Sequence, residues 1–170
     1  INNSPFTQTR RCPVNIALVQ AFFFKAMIEG WAASGQKINI PDLPGYKAVP
    51  FRDGDFYLLD CYCVTPHSSK SAGTTTIWFQ GVPVWIMNYG GVYEERAIAF
   101  LKSMLRRAYE NSLFVGGRGS YRCSDGSFFY MNNPCPNDFY KFRGREEIFI
   151  MEGGNIISLG FHEYWGMSLM

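Results

Sequence analysis

Apolar residues in this chain fall into two patterns. Over Val14 to Ala33 they nearly encircle a helical wheel, and over Tyr93 to Asn111 they form one helical stripe. From Tyr46 onward, outside that second helix, they gather in short aromatic and β-branched runs separated by glycine-bearing steps, which is the signature of strands and turns. Pro13 suits the first turn of the opening helix and Gly35 suits a left-handed cap after it. In the second helix Ala97, Leu101, Met104, Leu105 and Ala108 share one face. Glu94 and Glu95 lie at its positive end, and Arg106 and Arg107 at its negative end.

The runs between these helices predict hairpins. Tyr46–Arg52 and Phe56–Val64 flank Asp53-Gly54, a strong hairpin signal. Thr65–Gly73, with Pro, His and several hydroxyl residues, reads as an exposed loop. Thr74–Gln80 and Val82–Tyr89 form a second hairpin around Gly81, and Gly90-Gly91 is expected to stop the sheet. After the second helix, Gly116-Gly117-Arg118-Gly119 reads as a flexible link. Strands are then expected near 127–132, 138–143, 146–151 and 155–164, with a turn at Glu152-Gly153-Gly154-Asn155.

The two halves repeat one another loosely. Asp53-Gly54-Asp55-Phe56-Tyr57, Phe79-Gln80-Gly81 and Trp85 to Gly91 are echoed by Asp125-Gly126-Ser127-Phe128-Phe129, Phe142-Arg143-Gly144 and Leu159 to Gly166. A duplication of this kind predicts two related meanders whose closing strands meet near a pseudo-twofold axis. The expected fold is α+β: a twisted antiparallel sheet, with the option of curling toward a partly closed barrel, plus one N-terminal and one central helix. Residues 1–12 are expected to be a flexible segment, and 13–170 a single globular domain.

Composition narrows the function classes only a little. The 170 residues are 47% hydrophobic, 18% charged and 17% aromatic, and the aromatic share suits strands and a ring-lined pocket alike. A net charge of +2 is too small to point to nucleic acid, although Tyr121-Arg122 and Tyr140-Lys141-Phe142-Arg143 have the make-up of a base-stacking surface. The most apolar stretch, Val14 to Ile28, is broken by Asn15, Gln20 and Lys25 and is shorter than the ~20 residues of a bilayer span, so no membrane anchor is expected. The chain opens on Ile1, which leaves room for an upstream tag, signal or domain.

Five cysteines without a C-x-x-C pair, and only two histidines, argue against a metal site. Cys61 and Cys63 share a strand face and are poorly placed to bridge. Free thiols in a cytoplasmic protein are the expectation, and a Cys123–Cys135 disulfide in an exported protein is the alternative. No cofactor is expected, because Gly116, Gly117 and Gly119 follow a helix whereas a phosphate loop precedes one.

The run Gly81-Val82-Pro83-Val84-Trp85-Ile86-Met87-Asn88-Tyr89-Gly90-Gly91 is distinctive. So are Phe100-Leu101-Lys102 with Leu105, Gly117-Arg118-Gly119, Phe142 to Ile148, and the closing Leu159 to Gly166. Together they resemble the bacterial family of domain of unknown function 5680 (DUF5680). Leu18 to Gly35 is similar to that family's opening helix, so the resemblance spans roughly residues 16–166. It implies a stand-alone domain or the C-terminal partner of a helix-turn-helix repressor domain, which suits a sensor or interaction module. It carries over no catalytic residue.

The candidate ligand-binding residues lie where the two closing strands should meet: Trp85, Asn88, Tyr89 and Tyr93 from the first, His162 and Tyr164 from the second, with Arg118 from the glycine-rich segment. On a strand His162 and Tyr164 share one face, and Glu163 and Trp165 the other. His162 would serve as acid, base or hydrogen-bond donor; the plainer alternative is a histidine satisfied at a sheet end. Arg118 would grip an anion; the alternatives are a solvated loop arginine or one paired with Glu146 or Glu147. Asp60, in Leu58-Leu59-Asp60-Cys61-Tyr62, flags a site if its face is inner, but an outer, ordinary position is expected. Nucleophilic catalysis has no support, since there is no G-x-S-x-G elbow and no histidine partner for Cys61 or Cys63.

These readings favour a non-enzymatic module that takes an unidentified small molecule or protein in an aromatic cleft. A small enzyme using His162 as general acid or base is the first alternative. The second is a protein–protein or homodimer contact through Phe22, Phe23, Phe24, Met27, Ile28 and Trp31, if that helix is not simply sandwiched in the core.

Overall fold

The computed structural model describes residues 14–32 and 37–170. The opening helix is α1, Ile16–Ala26, capped by the Asn15 side chain, which accepts from the Leu18 amide at 3.0 Å. It continues as a wider π-helical turn over Met27–Ala32. Pro13, Gly35, Cys12 and the segment 1–12 lie outside the described residues, as does the side chain of Trp31.

The strands are β1 (Ile38–Asn39), β2 (Tyr46–Asp53), β3 (Phe56–Thr65), β4 (Ser68–Phe79) and β5 (Val82–Tyr93). Helix α2 (Glu95–Glu110) follows, then β6 (Arg122–Asp125), β7 (Phe128–Asp138), β8 (Lys141–Glu152) and β9 (Asn155–Ser168). All pair antiparallel in one sheet of order β1-β2-β3-β4-β5-β9-β8-β7-β6. The sheet is open rather than a closed barrel, and with its two helices it is an α+β fold. Among the described residues no helix is long and apolar enough to cross a membrane.

Three expectations about the strands fail. Thr65–Gly73 is no loop: Ser68 to Gly73 pairs with β3, leaving only Pro66-His67 as the turn. This hairpin arm is largely solvent-exposed, so polar residues suit it even as strand. Gly90-Gly91 does not stop the sheet either. β5 continues to Tyr93 because β9 lies so close that a Cβ on Gly91 would run into the Phe161 carbonyl. Lastly, 138–143 and 146–151 are not two strands. Phe142-Arg143-Gly144 sits inside β8, where Gly144 makes room for the Tyr164 ring.

The duplication survives in corrected form. β2–β5 and β6–β9 are two four-stranded meanders joined through their closing strands, with Tyr89 opposite Tyr164. The register makes this seam nearly twofold. One inner row runs Asp60, Thr75, Met87, Gly166, and its counterpart runs Asn132, Glu146, His162, Gly91. Asp53-Gly54 and Asp125-Gly126 occupy matching turns, but Phe142-Arg143-Gly144 corresponds to Ser71-Ala72-Gly73, not to the Phe79-Gln80-Gly81 turn.

Both helices cover the face of the sheet bearing these rows. Phe23 is fully buried against Trp85, Tyr109, Phe114 and Phe139, and Phe22 stacks on Phe56. Burying each such ring is worth about 1.5–3 kcal/mol. Phe22, Phe23, Phe24 and Met27 are therefore core, Ile28 is half-buried, and Leu18 on the same helix is exposed. The stripe of α2 is buried as its spacing predicts.

Candidate functional site

Alternation along each strand decides which side chains reach the helix-covered face. Leu58, Asp60 and Tyr62 on β3 point there, as do Gly73 and Thr75 on β4, Tyr89 and Tyr93 on β5, and His162 and Tyr164 on β9. Asp60 is thus inner, not outer: only 2% of it is exposed. Leu58-Leu59 gives apolar character to both parities, which hid its face. Its Oδ1 accepts from the Thr75 hydroxyl and from the Tyr89 hydroxyl, each at 2.8 Å. Tyr89 reaches it across Gly73, where a Cβ would collide with the Tyr89 hydroxyl at 2.7 Å. Burial pushes the Asp60 carboxyl above its ordinary value, against the pull of those two hydrogen bonds and of Arg118 and Lys37 farther off.

The second meander builds a denser network. Arg118 is buried, and its Nε donates to Glu146 Oε1 at 2.9 Å, with a second, very short bond from the same guanidinium. Tyr130 donates to the other carboxylate oxygen at 2.5 Å. Burial alone would raise Glu146, but Arg118 and these hydrogen bonds hold it below its ordinary value. Glu146 in turn keeps Arg118 charged despite its burial. The segment carrying Arg118 is accordingly no flexible link: Val115 to Gly119 is buried. Asn132 pins it by donating to the carbonyls of Val115 and Gly119 at 2.9 Å each, while its Oδ1 accepts from Tyr164 at 2.5 Å. The glycines serve this packing, since a Cβ on Gly119 would strike the Tyr130 ring.

His162 links the halves. It is buried, with its Nδ1 3.4 Å from the Arg118 guanidinium and 3.9 Å from Glu146. Arg118 can only donate, so Nδ1 is the acceptor and the ring proton sits on Nε2. Burial, then the Arg118 charge, push its pKa down to about 4 against the pull of Glu146, so the imidazole is neutral at pH 7. Tyr93 packs against this ring at 4.9 Å between centroids. Its hydroxyl is buried and makes no hydrogen bond of full geometry among the described residues, although Glu146 and the His162 backbone lie beside it.

These groups surround a cavity of about 190 Å³ between sheet and helices. Asp60, Tyr62, Thr75, Tyr89, Tyr93 and His162 form its sheet side. Met27, Ile98 and Leu101 supply apolar cover from the helices, and the exposed Lys37 and Lys102 line it toward solvent.

Of the seven sequence candidates, Tyr89, Tyr93, Arg118 and His162 meet at this cavity. Tyr164 is on the same face but is turned to Asn132. Trp85 is core, its indole donating to the Phe139 carbonyl at 3.0 Å. Asn88 faces the other side of the sheet, where it meets Thr74 and lines an open groove of about 870 Å³ with Arg143, Glu163 and Trp165. Sequence reasoning missed Asn132 and named Glu146 only as an alternative partner for Arg118, a pairing that the structure shows. The matching of these two positions with those of Asp60 and Thr75 is the signal that points to them. Among the described residues no cluster of three or more His, Cys, Asp or Glu could hold a metal ion. Cys123 and Cys135 are free thiols, so the alternative disulfide is not formed. Cys123 pairs opposite Tyr130, five residues along β7 from Cys135, a separation of roughly 16 Å at strand rise.

No curated protein and no solved structure matches the chain. The family described as a domain of unknown function, DUF5680, matches over residues 66–166, from the β3–β4 turn through most of β9, and the site's Thr75, Tyr89, Arg118, Glu146 and His162 all fall within that span. The chain belongs to the DUF5680 family.

Proposed function

We propose that this domain is a small-ligand-binding module whose site is the cavity between the β5–β9 seam and the helices. The observation that carries this reading is a buried polar lining beside open volume: Asp60, Thr75 and the neutral His162 imidazole border one space with Tyr89 and Tyr93. Buried polar groups are normally satisfied, and a ligand with complementary groups would satisfy these. The volume lies below the ~300 Å³ of an ordinary drug-sized pocket, so the ligand is small. A binding module of this kind suits a sensor.

A second reading, an enzyme using His162, is favoured by the exposure of that ring to the cavity. A base whose pKa lies near 4 is a weak one at neutral pH, which places this reading second. A thermal-shift screen against a small-metabolite library separates the two. The binding module predicts ligands that raise the melting temperature and lose that effect in Tyr93→Phe or Leu101→Trp, with no turnover. Turnover of a library member, abolished in His162→Ala, would replace the module reading by the enzyme.

A further inference from the structure

Resting on the reading of this cavity as a ligand site, we infer that its ligand carries an amine or ammonium head, seated against Asp60 beside the rings of Tyr62 and Tyr93. Both hydrogen bonds that reach Asp60 from described residues end on Oδ1; none ends on Oδ2, and Asp60 forms no ion pair with a described residue. Among the described residues this buried carboxyl group is held by two hydroxyls; Arg118 and Lys37 act on it from a distance, and it has no contacting cation to offset its desolvation. The cavity beside it is where that cation fits.

The walls agree. Three tyrosine rings line the same cavity, and aromatic faces attract cations, more strongly when water is excluded. The Tyr89 ring already has the Arg118 guanidinium 5.6 Å from its centroid, which leaves Tyr62 and Tyr93 to the ligand. The chain's own ammonium shows the preference at the rim, where Lys37 Nζ lies 6.0 Å from the centroid of the Tyr62 ring. An anionic ligand finds no comparable seat. The one deep cation lining the cavity, Arg118, already gives two bonds to Glu146, and Lys37 and Lys102 are exposed. The equivalent position in the second meander sharpens the contrast. Asn132 stands where Asp60 would, and the backbone carbonyls of Val115 and Gly119 take both its donated bonds.

Matched charged and uncharged probes test this: n-butylammonium against n-butanol, and choline against its uncharged carbon isostere, titrated calorimetrically into the whole chain. The charged member of each pair should bind at least about ten-fold tighter. Asp60→Asn should erase that preference while leaving binding of the uncharged member within about two-fold. Tyr62→Leu, which leaves the carboxylate in place, should weaken the charged probes selectively. Equal affinity within each pair, or a preference that persists in Asp60→Asn, overturns the amine head. The module reading then still stands if the uncharged probes bind and Leu101→Trp blocks them. If neither these probes nor any member of the metabolite library binds, the module reading and the amine head fail together.

Discussion

Asp60 and Asn132 occupy the same place in the two meanders, each buried and each accepting from the tyrosine that faces its twin across the seam. They differ by one atom in kind. The amide of Asn132 has two protons to give, and the chain meets both with carbonyls from the Val115 to Gly119 segment, which fills that half. The carboxylate of Asp60 has none to give, and the space beside it is a cavity. One half is closed on itself and the other is left with an acceptor facing a void. A duplicated scaffold thereby holds a rigid side and a receptive side, with His162 and Arg118 at their junction.

Exchanging the two chemistries is the strongest way to break the comparison. Asn132→Asp would set a carboxylate against two carbonyls, and the account expects a loss of about 3–5 kcal/mol in denaturant unfolding, as for any unpaired buried charge. Acid should act next. The native pKa of His162, about 4, lies below its ordinary 6.5, so between those values the unfolded chain binds more protons. Stability should therefore fall on acidification from pH 6.5 to 4 by up to about 3 kcal/mol, and His162→Gln should flatten that part of the profile. Smaller still is the tyrosine pair. Tyr164→Phe, which strands a buried amide oxygen, should cost about 1–2 kcal/mol, whereas Tyr89→Phe should cost less because Asp60 keeps Thr75 and borders the cavity.

The smallest effect carries the opposite sign. Asp60 has a native pKa above its ordinary 3.8, so the folded chain holds that proton more tightly and stability declines as pH rises through this window. Across that window the raised pKa costs the empty protein stability. Asp60→Asn should leave the melting temperature unchanged or slightly raised at pH 7, as expected where a site trades stability for function.

How far the sequence disclosed this arrangement depends on what each glycine is for. Gly54 and Gly126 adopt positive φ with open space around them, and Asp53-Gly54 marked its hairpin correctly, whereas the short strand β6 before Asp125-Gly126 was not expected. Gly73, Gly91 and Gly144 look the same on paper but sit inside strands, where a ring or a neighbouring backbone occupies the place of a side chain. That ambiguity is why Gly90-Gly91 read as a stop and Phe142-Arg143-Gly144 as a turn. It also misaligned the repeat by pairing the wrong glycines. Once Gly73 and Gly144 are matched, Thr75/Glu146 follows, and matching Gly54 with Gly126 gives Asp60/Asn132. The glycine-rich 116–119 segment misled in the same way, because its burial depends on Tyr130 and Asn132, partners distant in sequence. Local strand alternation sets Tyr89, Tyr93 and His162 on the covered face, whereas Asn88, next to Tyr89 in the strand, was chosen against it. Asp60 was not legible in this way, because its neighbours are apolar on both faces.

The most direct measurement is the titration of the Asp60 side-chain carboxyl carbon by NMR, alone and with saturating n-butylammonium. The midpoint should lie above 3.8 in the empty protein and move downward when the cation occupies the cavity. A midpoint at or below 3.8 that does not respond to the cation would contradict the picture of a buried carboxylate waiting for its partner.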